Sequence, residues 1–302
     1  MQNTAKHGAI FAILAYSMWG IAPLYFKLLS QIPALEMIGH RVLWSFFLLV
    51  LIISLRVGWQ PVKDILKTPK KLAWLCVSSL LIAINWLVFI WAINADHMLD
   101  ASLGYYINPI VNVGLGMFFL GERLARLQWL AIGLASCGVL VQLITFGSIP
   151  WIALILAVSF GLYGLIRKQV VIDGVSGLWI ETLLLAPFAL AYLCFIAPHN
   201  IPMSQYDGVT QILLVAAGIV TTLPLLCFIA AAKRLPLSVL GFFQYIGPSL
   251  MFLLATLVYD EPLTQDKIIT FGFIWLALIV FSWHGWRTHR RTEQASAIRS
   301  NA

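Results

Sequence analysis

The chain has 302 residues, 61% of them hydrophobic and only 10% charged, with a formal net charge of +7. A soluble domain carries about 25% charged residues, so this composition excludes an ordinary globular protein and places the chain in lipid. The excess of positive charge gathers in short loops, where it reads as membrane topology and calls for no nucleic-acid partner.

A helix needs about 20 apolar residues to cross the hydrocarbon core. Ten segments meet that length, roughly 8–29, 33–55, 72–94, 99–120, 124–145, 149–166, 177–196, 208–232, 236–258 and 268–286. The first has no small-residue cleavage site after its apolar run and is long enough to span, so it is expected to stay as a helix and not to leave as a signal peptide. The longest gaps, 56–71 and 197–207, are too short to bury a core of their own. Cys76, Cys137, Cys194 and Cys227 all fall in apolar segments without CxxC spacing; buried packing is expected of them, with neither disulfides nor a metal site.

Orientation follows from Lys and Arg. With the N-terminus in the cytoplasm, sixteen of the nineteen lie in cytoplasmic segments, including Arg56 to Lys71 and Arg287 to Arg299. Lys267 alone sits in an outer loop, and Lys27 and Arg41 lie in or beside helices. Both termini are therefore expected in the cytoplasm, with the basic loop and tail touching anionic lipid.

A spaced pattern occurs twice. Tyr106, Pro109, Glu122 and Gly133 are repeated as Tyr245, Pro248, Glu261 and Gly272, each 139 residues later. Trp19-Gly20 with Lys27 is matched by Phe160-Gly161 with Lys168 at an offset of 141. The expected fold is an all-α membrane protein of ten transmembrane helices, arranged as two five-helix repeats, 1–145 and 146–302. An odd number of spans per repeat makes them inverted, the layout of an alternating-access carrier.

At these residues the chain resembles the drug/metabolite transporter superfamily, whose EamA-type unit of five helices is present twice, and within it the RarD-type permeases. The resemblance rests on WGIAPLYFKLL (19–29), HRVLWS (40–45), NWLVFIWAIN (85–94), DASLGYYINPIVNVGLG (100–116), GERL (121–124), SFGLYGLIRK (159–168) and GFFQYIGP (241–248). One departure is Asp100, where the family pattern carries the longer Glu. The resemblance implies a bacterial inner-membrane permease, named for a chloramphenicol-sensitivity phenotype, moving a small metabolite or drug-like compound by export or exchange. Proton coupling is common in the superfamily; fold-level analogy does not select the cargo. No phosphate loop, HExxH or GxSxG motif appears, so neither ATP hydrolysis nor membrane hydrolase chemistry is expected, and no cofactor. The rival reading is a pore-like facilitator or an accessory subunit without gradient coupling.

Ionisable residues inside spans are the candidates for coupling. Glu36 and His40, four apart on the second span, could share a proton; alternatively both, with Arg41, sit near the outer end and snorkel toward Lys27. Glu181, which corresponds to His40 in the repeat, is a lone carboxylate in the seventh span, and it could equally be a partner of Arg167 or Lys168. Glu122 and Glu261 are expected to support the N-terminus of the helix that follows each of them. Pro109 and Pro248 interrupt helices near mid-membrane, where interruptions border cavities. The substrate lining is expected from polar and aromatic groups at middle depth: Trp19, Asn85, Trp86, Tyr105, Asn108, Asn112, Phe160, Tyr163, Gln244 and Tyr245, with Thr221 and Thr222 beside them. Such a lining suits a neutral, zwitterionic or amphipathic compound. The fifth and tenth spans, poor in such groups, are expected to pack on the outside.

Overall fold

The computed structural model describes residues 2–94, 98–147, 150–196, 203–258 and 265–300. Within them the chain forms helices α1 (Gln2–Lys27), α2 (Ala34–Ile52), α3 (Gln60–Leu66), α4 (Pro69–Asn94), α5 (Met98–Leu120), α6 (Arg126–Phe146), α7 (Trp151–Gln169), α8 (Gly174–Ala191), α9 (Gly208–Arg234), α10 (Leu237–Gln244), α11 (Ile246–Leu257) and α12 (Gln265–Ser300). Ten segments are long and apolar enough to cross a membrane, in the order the sequence implies.

Local chemistry sets the ends. Pro33, Pro150 and Pro236 stand at the N-caps of α2, α7 and α10, where a missing N–H costs nothing. The Asp173 carboxylate accepts from the Ser176 backbone N–H at 2.8 Å, and Asp207 accepts from Val209 and Thr210, so both cap the helices that follow. Gly147 closes α6 with φ of 73°, a left-handed position open to glycine.

Three features depart from the sequence reading. The 56–71 gap holds α3, whose Val62 and Ile65 are buried. The ninth span is two helices, with a turn at Tyr245; Pro248 lacks the N–H that would bond the Gln244 carbonyl. Of the cysteines only Cys227 is buried, while Cys76, Cys137 and Cys194 lie on the outer face of the bundle. An apolar thiol faces lipid at no more cost than it faces core, so hydrophobicity alone could not tell the two apart.

The main core gathers α1, α2, α4, α7, α8, α9 and α10 around Tyr163, Phe228, Leu49 and Leu237, all fully buried. Close approach of backbones makes this possible: a Cβ on Gly218 of α9 would stand 2.6 Å from the Trp44 carbonyl carbon of α2. The helix pairs that touch include α1 with α9 and α11, α4 and α5 with α7, α2 with α8 and α9, and α5 with α10. Helices α6 and α12 pack chiefly on each other, joined by Gln142 donating to Thr270 Oγ1 at 3.0 Å.

Candidate functional site

A cavity of about 210 Å³ opens between α1, α2, α4, α5, α7, α9, α10 and α11. Its residues come from the halves of these helices remote from the chain's N-terminus: Trp19 to Phe26 on α1, Ile82 to Phe89 on α4, Gly104 to Asn108 on α5 and Gly247 to Met251 on α11. Thr221 and Leu225, near the middle of α9, also line it. Prolines help to place it here. Pro23, Pro109 and Pro248 withhold the i→i−4 donor from the carbonyls of Trp19, Tyr105 and Gln244, and all three of those residues line the cavity.

Seven of the ten expected lining residues meet in this cavity: Trp19, Asn85, Trp86, Tyr105, Asn108, Phe160 and Gln244. The other three lie behind it. Asn112 donates to Asn108 Oδ1 at 3.3 Å and to Gln244 Oε1 at 2.5 Å, tying α5 to α10. Tyr245 is 1% exposed and donates to the Tyr106 carbonyl at 3.3 Å. Tyr163 packs beneath the cavity against Phe228, in an aromatic cluster with Phe160 and Trp19 whose ring centroids lie 5.1–6.1 Å apart. Helical spacing put Tyr105, Asn108 and Asn112 on one stripe, but the stripe is wide enough to divide between cavity and interface. Asn85 spends its amide nitrogen on α7, donating to the Leu156 carbonyl and to Ser159 Oγ at 2.9 and 3.0 Å.

Arg41, expected near the outer end of its span, also lines the cavity. Its Nε donates to Thr221 Oγ1 at 2.8 Å, and its guanidinium lies 5.3 Å from the Phe26 ring centroid and 5.2 Å from that of Trp86. Position near a helix end read as snorkelling; the side chain instead turns inward over two rings.

The expected coupling groups separate into two places. Glu181 and Arg167, each with 2% of the side chain exposed, form an ion pair at 3.4 Å. Glu181 also accepts from the Ser78 and Tyr163 hydroxyls, so the cluster joins α4, α7 and α8. Glu36, 5% exposed, accepts from the Tyr206 hydroxyl at 3.0 Å. His40 is an electrostatic neighbour of Glu36, but no hydrogen bond joins the two among the described residues.

Hydrogen bonds tie the helices together at the end of the bundle on the N-terminal side. Glu122 does not cap the helix after it: Oε1 accepts from the Leu237 N–H at 2.6 Å, and Oε2 accepts from the Ser238 N–H and hydroxyl at 2.8 and 2.6 Å. A residue of the α5–α6 turn thus caps α10, while Gln128 reaches back to the Ala125 N–H to cap α6. Lys168 donates to the Ala232 and Leu235 carbonyls, and Lys233 to that of Ile172, pinning α7 and the loop after it to the end of α9. Glu261 lies outside the described residues.

Residues 6–144 match the EamA-like transporter family. Over 290 residues the chain is 55% identical to Protein RarD of Escherichia coli (strain K12), covering 96% of this chain and 98% of that one. The chain belongs to the RarD-type permeases of the EamA-like transporter family. This permease is also 56% identical, over 97% of its own length and 98% of the other's, to an uncharacterized transporter of Vibrio cholerae serotype O1. A solved crystal structure superposes with a TM-score of 0.70 at 18% identity, covering 90% of this chain and 96% of that one; at that identity the likeness concerns the fold. The permease is thus a multi-pass membrane protein of a transporter family.

Proposed function

We propose that this permease is a secondary carrier that moves a small metabolite or drug-like compound by alternating access, through export or exchange. The observation that supports the reading is the asymmetry of the bundle: a cavity built from both halves of the chain occupies one end, and hydrogen bonds join the halves at the other. The helix pairings support two inverted repeats, 1–145 and 146–302. Exchanging each span for its counterpart turns the α5–α7 contact into that of α11 with α1, and the α1–α9 contact into that of α7 with α4. With the N- and C-termini in the cytoplasm, as the loop charges favour, the cavity faces outward and the hydrogen-bonded end, the latch, is cytoplasmic. A cavity of about 210 Å³ is below the roughly 300–1,000 Å³ of drug-sized pockets, which favours small cargo.

Proton coupling is assigned to Glu181, whose protonation would cancel its attraction for Arg167 and free α8 from α4 and α7; Glu36 with His40 is the alternative carrier of the proton. The test is substrate counterflow in proteoliposomes, with and without a pH gradient. Exchange stimulation is expected, driven by pH in the wild type and indifferent to pH in Glu181→Gln. Flux without exchange stimulation would favour the facilitator.

A further inference from the structure

Taking the cavity as the transport site, we infer that its cargo is an aromatic monocarboxylate, held by Arg41. Among the residues that line the cavity, Arg41 alone carries a fixed charge of either sign. No carboxylate among the described residues lies within ion-pair distance of it: its electrostatic neighbours are the phenols of Tyr25 and Tyr105, and Glu36, on the same helix, is engaged by Tyr206. A guanidinium inside a membrane protein, with no counter-ion among the described residues, is costly to hold and points to a ligand.

The geometry narrows the ligand. Thr221 occupies Nε, so the two terminal nitrogens are left, and a planar fork of N–H groups matches a carboxylate. The guanidinium carbon lies over the rings of Phe26 and Trp86, which takes up part of the space around the group. One cation does not suffice for a phosphate ester or a dicarboxylate, which need several converging donors. The rest of the lining, with Trp19, Phe89, Tyr105 and Phe160, offers ring faces to an aromatic body.

The probes are 3-phenylpropanoate, 3-phenylpropanamide and 3-phenylpropan-1-amine, one body with an anionic, a neutral and a cationic head, read by thermal stabilisation of the purified full chain. The carboxylate is expected to stabilise the wild type at concentrations where the amide and amine do not. Arg41→Gln should need about tenfold to a hundredfold more carboxylate for the same shift, the range for a charge-assisted hydrogen bond. Arg41→Lys should keep the preference at reduced strength. Thr221→Val, close in shape, should weaken carboxylate binding severalfold by releasing Nε, and it serves if Arg41→Gln does not fold. Equal stabilisation by the amide or amine, unchanged carboxylate binding in both Arg41→Gln and Thr221→Val, or no stabilisation by any probe up to its solubility limit would each overturn the inference. Binding is read at equilibrium without transport. Carboxylate selectivity without counterflow therefore refutes alternating access alone, and counterflow without selectivity refutes the carboxylate alone.

Discussion

Glu122→Gln isolates the latch. The carboxylate accepts three hydrogen bonds, at 2.6, 2.8 and 2.6 Å, from the first turn of α10. Bonds to a charged acceptor contribute about 1.5–3 kcal/mol each, against about 0.5–1.5 for neutral ones. Glutamine keeps one acceptor oxygen and turns an NH₂ group toward the remaining donors, and it loses the favourable charge at the helix N-terminus. A net loss of about 2 kcal/mol is a conservative figure. If the latch exists only with this end closed, that loss moves the closed-to-open equilibrium by roughly 30-fold. The readout is the labelling rate of a cysteine at Leu115 on α5, next to Gly116, whose carbonyl accepts from the Glu122 N–H, in a background lacking Cys76, Cys137, Cys194 and Cys227. A membrane-impermeant thiol reagent is applied from the side where α10 begins. Labelling should accelerate by about that factor. Equal rates in wild type and variant, with thermal stability lowered in the variant, would make Glu122 a cap that persists in both states and remove it from gating.

Four further outcomes follow from the same geometry. Gly218→Ala should destabilise the permease by about 1–3 kcal/mol in thermal unfolding, because the new Cβ meets the α2 backbone; Gly272→Ala, with nothing within 4 Å, should be silent. Arg167→Met should cost about 3–5 kcal/mol by leaving Glu181 buried and unpaired, and adding Glu181→Leu should restore most of that loss. Asn112→Ala should cost about 1–3 kcal/mol by stranding the Gln244 carbonyl, with the larger fall in substrate affinity, since Gln244 lines the cavity. Reporters fused after Lys67 and after Arg291 should both read cytoplasmic and one after Tyr206 periplasmic; a periplasmic Arg291 fusion would undo the inverted-repeat reading.

Most of the architecture was legible because lipid imposes it. Ten apolar runs of spanning length leave ten helices as the solution that satisfies every backbone group, and Asp, Pro and Gly punctuate them where the caps fall. Side-chain direction was less legible. Cys76 and Cys227 have the same kind of apolar neighbours in sequence, yet one faces outward and the other is buried. The reason is that outside and core are both apolar, so the usual hydrophobic signal that separates them is absent.

The site divides along the same line. Residues read from their depth in the spans, Trp19, Asn85, Trp86, Tyr105, Asn108, Phe160 and Gln244, come together around the cavity. Residues whose partner mattered were not found in this way. Glu122 was assigned to the nearest helix in sequence, whereas its partner is 115 residues away, and no local pattern encodes a contact across the repeat. Pro236 was the available clue, since it opens a helix at the same end of the bundle and leaves the amides of Leu237 and Ser238 without a side-chain cap of their own. Arg41 failed for the opposite reason: its sequence neighbours, Glu36, His40 and Lys27, offered a local explanation that the fold does not use. The decisive pattern was distributed over three helices, a Phe on α1, a Trp on α4 and a Thr on α9 converging on one guanidinium. A charge held by rings and a hydroxyl, with no counter-ion among the described residues, is expensive to maintain in a membrane. Its place in a cavity lined by both halves of the chain is the ground for expecting an anionic head on the cargo.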